Sequence, residues 1–324
     1  MSSRRDFITA TTLSAAALAL MPLGACSQEP PPAATPAAAD PPPADPATPG
    51  PLLKRAIPSS GEQVPVIGMG TSGSFEVGAG AAERDPLREV LKLFIAAGAS
   101  VIDTAPTYGR AEGVLGDLLA EAGIRDKVFL ATKLSGVSGR EAGLAQFEGS
   151  LRSLKTDRVE LLQVHNLGDT ETQIAVAREL RDQGKVKYVG LTHYVERAHA
   201  PLADAMQALK PDFVQVNYSP VSRGAEKRIF PLARDLGIAV VINRAFEDGR
   251  LFGQVKDRPL PDWAGEVGAD SWAQLILKFV ISEPAVTVVI PATSKPGHQT
   301  DNLKAGTGPL LDTTQRQALA AALA

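Results

Sequence analysis

Four titratable side chains close apolar runs, or follow one closely, in this 324-residue chain. The run VID ends on Asp103, with Tyr108 in the turn beyond it; VFLATK ends on Lys133 and VELLQVH on His165. A carboxylate, a phenol, an ammonium and an imidazole can hold, pass or balance a proton among themselves. Any one of them alone is better read as a helix cap, a rim aromatic, a solvated loop charge or a core histidine. Three successive apolar runs that each end in an ionisable group are hard to read as packing. Burying Lys and Asp costs several kcal/mol unless they pair, so the cluster points to a site.

What must position these groups is a repeating pattern. Residues 52 to 324 alternate apolar strands with amphipathic helices, with no low-complexity stretch between them. LLKRAIPSSGEQVPVIG has two short apolar runs around PSSGE and predicts a hairpin ahead of the main fold. The spacing then predicts strands at 66–71, 101–104, 128–134, 159–166, 187–194, 213–220, 239–246 and 286–294. The helix after the first strand is expected to start with Asp85 as N-cap and Pro86 at the first position. The helix after the fourth is expected to open on a capping box, Thr170 to Gln173. Eight strand–helix units in about 250 residues predict an α/β fold of the (β/α)8 type, a TIM barrel preceded by a short N-terminal β-hairpin. In such barrels the chemistry sits at the C-terminal ends of the strands, where Asp103, Lys133 and His165 fall.

A doubly wound sheet is the rival. GMGTSG, residues 68 to 73, matches the G-x-G-x-x-G fingerprint after a strand, and Asp103 ends the next strand. The context fails. No helix opens at Gly73, and Asp103 lies well beyond the roughly 20-residue spacing of that motif.

The order Asp103, Tyr108, Lys133, His165 resembles the catalytic tetrad of the aldo-keto reductase family. GMGT, DTAPTYG, ATK, QVHN, VGLT, VQVNYSP and IPATSKP followed by DN extend the resemblance over nearly all of residues 52–324. It implies an NAD(P)H-dependent oxidoreductase that moves hydride between a nicotinamide ring and a small-molecule carbonyl compound. Tyr108 would give the proton, with Lys133 lowering its phenol below the ordinary value of about 10. Asp103 would hold and balance Lys133, and His165 would orient the carbonyl oxygen.

The resemblance also implies the cofactor residues. Gly70, Thr71 and Ser72 lie in the first loop. Thr192 and His193 stand where the family has a Ser-Asn pair for the carboxamide, and Gln215 joins them. Asn243 or Arg244 replaces an aromatic that stacks on the ring. Thr293, Ser294, Lys295 and Asn302 follow the last strand, where a helix N-terminus offers N–H groups to phosphate. Lys295 favours NADP, and NAD stays open because Ala292 and His298 stand where many members have Lys and Arg. His199 and His298 lack metal-ligand spacing, and no metal is expected. The loops do not name the substrate.

The first 51 residues cannot join this core. SRRDFI and the apolar run from Ile8 to Leu20 resemble a twin-arginine export signal. LGAC, residues 23–26, resembles a lipoprotein box; cleavage after Ala25 and lipidation of Cys26 both remain open, and the second would tether the chain to a membrane. Residues 27–51 contain ten prolines and predict an extended spacer, reaching up to roughly 75 Å. The expected organisation is a signal at 1–26, a linker at 27–51 and the barrel at 52–324, exported to the periplasm or anchored facing it. A net charge of −3 without a basic stripe suggests no nucleic-acid partner. The oligomeric state is not legible. Free NADPH should be scarce outside the cytoplasm, which leaves a second function open: a nicotinamide-bound redox sensor or auxiliary subunit with little turnover.

Overall fold

The apolar runs become the staves of a barrel. The computed structural model describes residues 50–324. The export signal at 1–26 and nearly all of the 27–51 linker lie outside the described residues. Strands β1 (Lys54–Ala56) and β2 (Gln63–Pro65) pair antiparallel as the expected hairpin. Eight parallel strands follow: β3 (Met69–Gly70), β4 (Val101–Asp103), β5 (Phe129–Leu134), β6 (Val159–His165), β7 (Val186–Thr192), β8 (Phe213–Asn217), β9 (Ala239–Asn243) and β10 (Val286–Val289). Each pairs with its successor, and bridges from Ile67 to Val289 and from Gly70 to Ala292 close the ring. The helices are α1 (Ala81–Ala96), α2 (Ala111–Ala122), α3 (Arg140–Leu154), α4 (Thr170–Asp182), α5 (His199–Leu209), α6 (Ile229–Leu236), α7 (Arg250–Val255), α8 (Trp272–Ile281), α9 (Pro296–Lys304) and α10 (Thr313–Leu323). The architecture is the (β/α)8 barrel expected from the sequence.

Successive side chains on a strand point to opposite faces, so one set lines the lumen and the other packs against the helices. In the lumen Val101, Phe129, Ala131, Leu161, Tyr188, Phe213, Ala239, Val241 and Val288 form an apolar cluster with Ile57 and Val64 of the hairpin. The hairpin seals the N-terminal end. The Tyr188 phenol donates to Glu62 at 2.6 Å, and Lys187 pairs with the same carboxylate at 2.7 Å. Further along the same inward faces the residues turn polar. Asp103 follows Val101, Lys133 follows Ala131, and Gln163 and His165 follow Leu161. Thr192 ends β7, Gln215 follows Phe213, and Asn243 follows Val241. Gly190 makes room in this layer, since a Cβ there would lie 2.9 Å from Gln163 Cγ.

Two helix starts differ from expectation. Helix α1 begins at Ala81, behind Gly80, rather than at Asp85. Ala81, Ala82, Glu83 and Arg84 are good helix formers and extend it backward. Asp85 pairs with Arg88 at 2.6 Å instead of capping, and Pro86 falls inside the helix. Helix α4 begins at Thr170 itself, with Asp169 as N-cap, so the Thr170 capping box does not form. The Gln173 amide turns instead to Asp169 Oδ2 and to Gly139 O, each at 3.1 Å. Strands β3 and β10 are also shorter than their apolar runs; beyond Val289 the pairing is reduced to isolated contacts such as the Gly70–Ala292 bridge, and residues 293–295 lead into α9.

Candidate active site

The polar layer at the C-terminal end is one hydrogen-bonded girdle. Lys133 is fully buried and Asp103 is 3% exposed. Lys133 Nζ donates to Asp103 Oδ2 at 2.6 Å and to the Thr104 carbonyl at 2.7 Å. The second Asp103 oxygen accepts from Gln163 Nε2 at 2.9 Å and from Gln215 Nε2 at 3.0 Å. Gln215 Oε1 in turn accepts from Thr192 Oγ1 at 3.0 Å and from Asn243 Nδ2 at 3.3 Å. Strands β4 to β9 are thereby tied to one carboxylate. Burial works against the charge of Lys133, but Asp103 and then Tyr108 outweigh it, and its affinity for the proton is raised.

Tyr108 reaches this layer from the turn after β4. Its N–H bonds to Ala105 O and its carbonyl accepts from Ala111 N, the first residue of α2. The ring sits with Lys133 Nζ 4.9 Å from its centroid and with the His165 ring edge-on at 6.1 Å. Burial is the strongest influence on the phenol and pushes it above its ordinary value. Lys133 pulls downward without prevailing, so the net lowering expected from the sequence is corrected: the group is a firmly protonated acid. His165 falls to about 4, first through burial and then through the positive charge of Lys133. It is therefore a neutral imidazole across the physiological range. After it, Asn166, Leu167 and Asp169 adopt left-handed backbone, with φ of 54°, 58° and 43°. Such a run of non-glycine residues is strained, and contacts hold it: Asn166 N bonds to Thr192 O, and Asp169 Oδ2 accepts from Gly139 N at 2.8 Å.

Above the girdle opens a cavity of about 930 Å³. Asp103, Tyr108 and His165 line it, with Gly70, Thr71, Ser72, Thr192, Gln215, Asn243, Arg244, Thr293, Ser294 and Lys295. Lys133 lies just beneath. Two expected residues are elsewhere. The His193 ring turns away, its Nδ1 accepting from Tyr194 N at 2.9 Å, and Asn302 is buried in α9 away from the lining. A nicotinamide dinucleotide fits what remains. The buried Asn243 Oδ1 has no partner among the described residues and suits a carboxamide N–H. The first turn of α9 follows Lys295 with backbone N–H groups available to phosphate. Beside Gly70 the walls come close, since a Cβ there would lie 3.0 Å from Ile290 O.

Sequence reasoning missed several members. Gln163 and Ser135 stand two residues from His165 and Lys133 on the same inward faces, so strand alternation alone could have found them. Tyr194 and Asp248 line the cavity from connecting segments and Phe252 from the short helix α7, where no strand period marks them. Arg244 lies 5.4 Å from the Tyr194 ring centroid and pairs with Asp248.

A closed (β/α)8 barrel with an Asp-Tyr-Lys-His group at its C-terminal mouth defines an oxidoreductase class. The aldo/keto reductase family model matches residues 66–324, and the chain belongs to that family. It is 29% identical to the aldo-keto reductase YhdN of Bacillus subtilis over 218 residues, 62% of this chain and 64% of that one. The alignment thus spans just under two thirds of that relative. Over 256 residues it is 29% identical to the methylglyoxal reductase YeaE of Escherichia coli, 77% of this chain and 88% of that one. Among solved structures, a Klebsiella pneumoniae aldo/keto reductase in complex with NADP and acetate superposes with a TM-score of 0.68 at 28% identity, covering 80% of this chain and 91% of that one.

Removing one member of the buried pair leaves the other charge without its partner. Lys133→Met is expected to destabilise the protein by about 3 kcal/mol, with Asp103→Asn added to Lys133→Met recovering most of the loss. Urea unfolding of the single and double variants measures this; equal loss in both would refute the pairing argument.

Proposed function

We propose that the protein is an NADPH-dependent carbonyl reductase, exported by the twin-arginine route, that converts an aldehyde or ketone to an alcohol. One observation carries the reading: a buried Asp103–Lys133 pair under Tyr108, with a neutral His165 facing it across the mouth. A nicotinamide bound at the mouth would supply hydride to the carbonyl carbon. The residues of the chain do the rest. Tyr108 donates the proton that the oxygen needs as negative charge develops on it. Lys133 sits close enough to stabilise the phenolate left behind, and Asp103 keeps that ammonium in place once the proton has gone. His165 offers a hydrogen bond to the oxygen without charging, since its protonation lies near pH 4. Asn243, whose Oδ1 is unpartnered among the described residues, would hold the carboxamide edge, with Gln215 and Thr192 fixing Asn243 from behind, and Lys295 and His298 would stand by the adenosine phosphates. The relatives' names support a small carbonyl substrate. The SRRDFI stretch and the proline-rich linker support export, with Cys26 as the point of lipidation or the first residue of the mature chain.

With the purified 52–324 domain, NADPH oxidation in the presence of aldehydes, ketones and quinones is the test. Tyr108→Phe is expected to lower kcat about 100- to 10,000-fold while NADPH still quenches intrinsic fluorescence; unchanged turnover would sink the reading. Across pH, kcat/KM for an uncharged substrate is expected to stay flat from about 5 to about 9, because Tyr108 is held up and His165 down from their ordinary values. A limb near pH 6.5 would place a titrating histidine in the mechanism. For export, replacing Arg4 and Arg5 with Lys is expected to leave the full-length protein in the cytoplasmic fraction; undiminished release by osmotic shock would refute the route.

A further inference from the structure

His165 Nδ1 lies 2.7 Å from the hydroxyl of Ser135. Ser135 stands two residues beyond Lys133, just past the end of β5, and is 3% exposed. Its main chain is clamped by one side chain of α3. Ser135 N donates to Gln146 Oε1 at 2.7 Å, and Gln146 Nε2 donates to Ser135 O at 2.8 Å. The hydroxyl is thus held where the imidazole meets it.

Counting protons decides who donates. A neutral imidazole has one N–H and one bare nitrogen, and a hydroxyl has one proton to give. The Ser135 hydroxyl makes no other hydrogen bond among the described residues. Were the ring proton on Nδ1, the Ser135 hydroxyl would accept it and leave its own proton buried without an acceptor, at a cost of about 1–3 kcal/mol. Donation from Ser135 to Nδ1 satisfies both groups and leaves the ring proton on Nε2. The ring itself lines the cavity beside Tyr108.

We infer that Ser135, clamped by Gln146, is a positioning residue that donates to His165 Nδ1 and sets the imidazole with its N–H on Nε2, facing the substrate oxygen. The inference rests on the carbonyl-reductase reading and deepens it. A ring set in this way can give a hydrogen bond and cannot take one. It selects substrates whose reacting atom presents a lone pair, a carbonyl oxygen in one direction and an alcohol oxygen in the other.

The chain has four histidines, so nitrogen-15 labelling of histidine gives a readable spectrum of the protein without cofactor. The His165 ring is assigned by its absence in His165→Gln. Expected is a neutral ring with the proton on Nε2 and a hydrogen-bonded bare Nδ1. Ser135→Ala is expected to shift the Nδ1 signal and to lower kcat/KM about 5- to 10-fold. Ser135→Thr, which keeps the hydroxyl, is expected to restore both, and Gln146→Ala to give an intermediate shift. A wild-type proton on Nδ1, or an alanine variant with unchanged His165 signals, overturns the assignment. An unchanged kcat/KM in the alanine variant of an active enzyme overturns the positioning role. If the wild type turns over no carbonyl compound, the carbonyl-reductase reading fails while the nitrogen spectrum still decides the tautomer.

Discussion

The burial of Lys133 against Asp103 is the constraint around which the mouth of this barrel is organised. An ammonium with no exposed surface is tolerable only if a carboxylate meets it and every remaining lone pair finds a donor. Asp103 accepts from Lys133, Gln163 and Gln215, and that demand dictates what the neighbouring strands present inward. Gly190 follows from it, since any larger residue would push Gln163 off the carboxylate. Asn243 and Thr192 follow as well, because Gln215 must have its own oxygen satisfied while its nitrogen serves Asp103. The chemistry of Tyr108 is laid over this arrangement. Its phenol stays protonated because it is buried, and Lys133 is available to stabilise the anion once the proton has gone.

Much of this was legible in the chain. The eight apolar runs mark the strands because strands buried on both faces must be apolar throughout most of their length. The places where each run breaks, at Asp103, Lys133 and His165, mark the rim. The ends of helices were less readable. Asp85-Pro86 has the composition of a helix start, yet the helix formers ahead of it continue the helix backward to Ala81. Thr170 has a cap's chemistry, but the left-handed backbone at Asp169 takes that position one residue earlier.

The site was legible to the extent that strand period governs it. Asp103, Lys133, Gln215 and Asn243 sit on strands and their faces follow from parity. His193 follows the inward-facing Thr192, so strand parity turns it away from the lumen, and its ring meets the backbone of Tyr194. Tyr194 and Asp248 enter from connecting segments and Phe252 from the short helix α7, and the paths of all three depend on tertiary contacts. The net direction of the Tyr108 shift was also beyond the sequence. Lys133 was visible as a neighbour, but the burial that outweighs it depends on how closely the turn packs down.

The hairpin under the barrel has a consequence for traffic. With Ile57 and Val64 packed beneath the lumen, the barrel is a vessel with a single door. Whatever reaches the polar layer above that packed lumen must therefore both arrive and leave by the C-terminal mouth, so the loops around the mouth govern all traffic to the site.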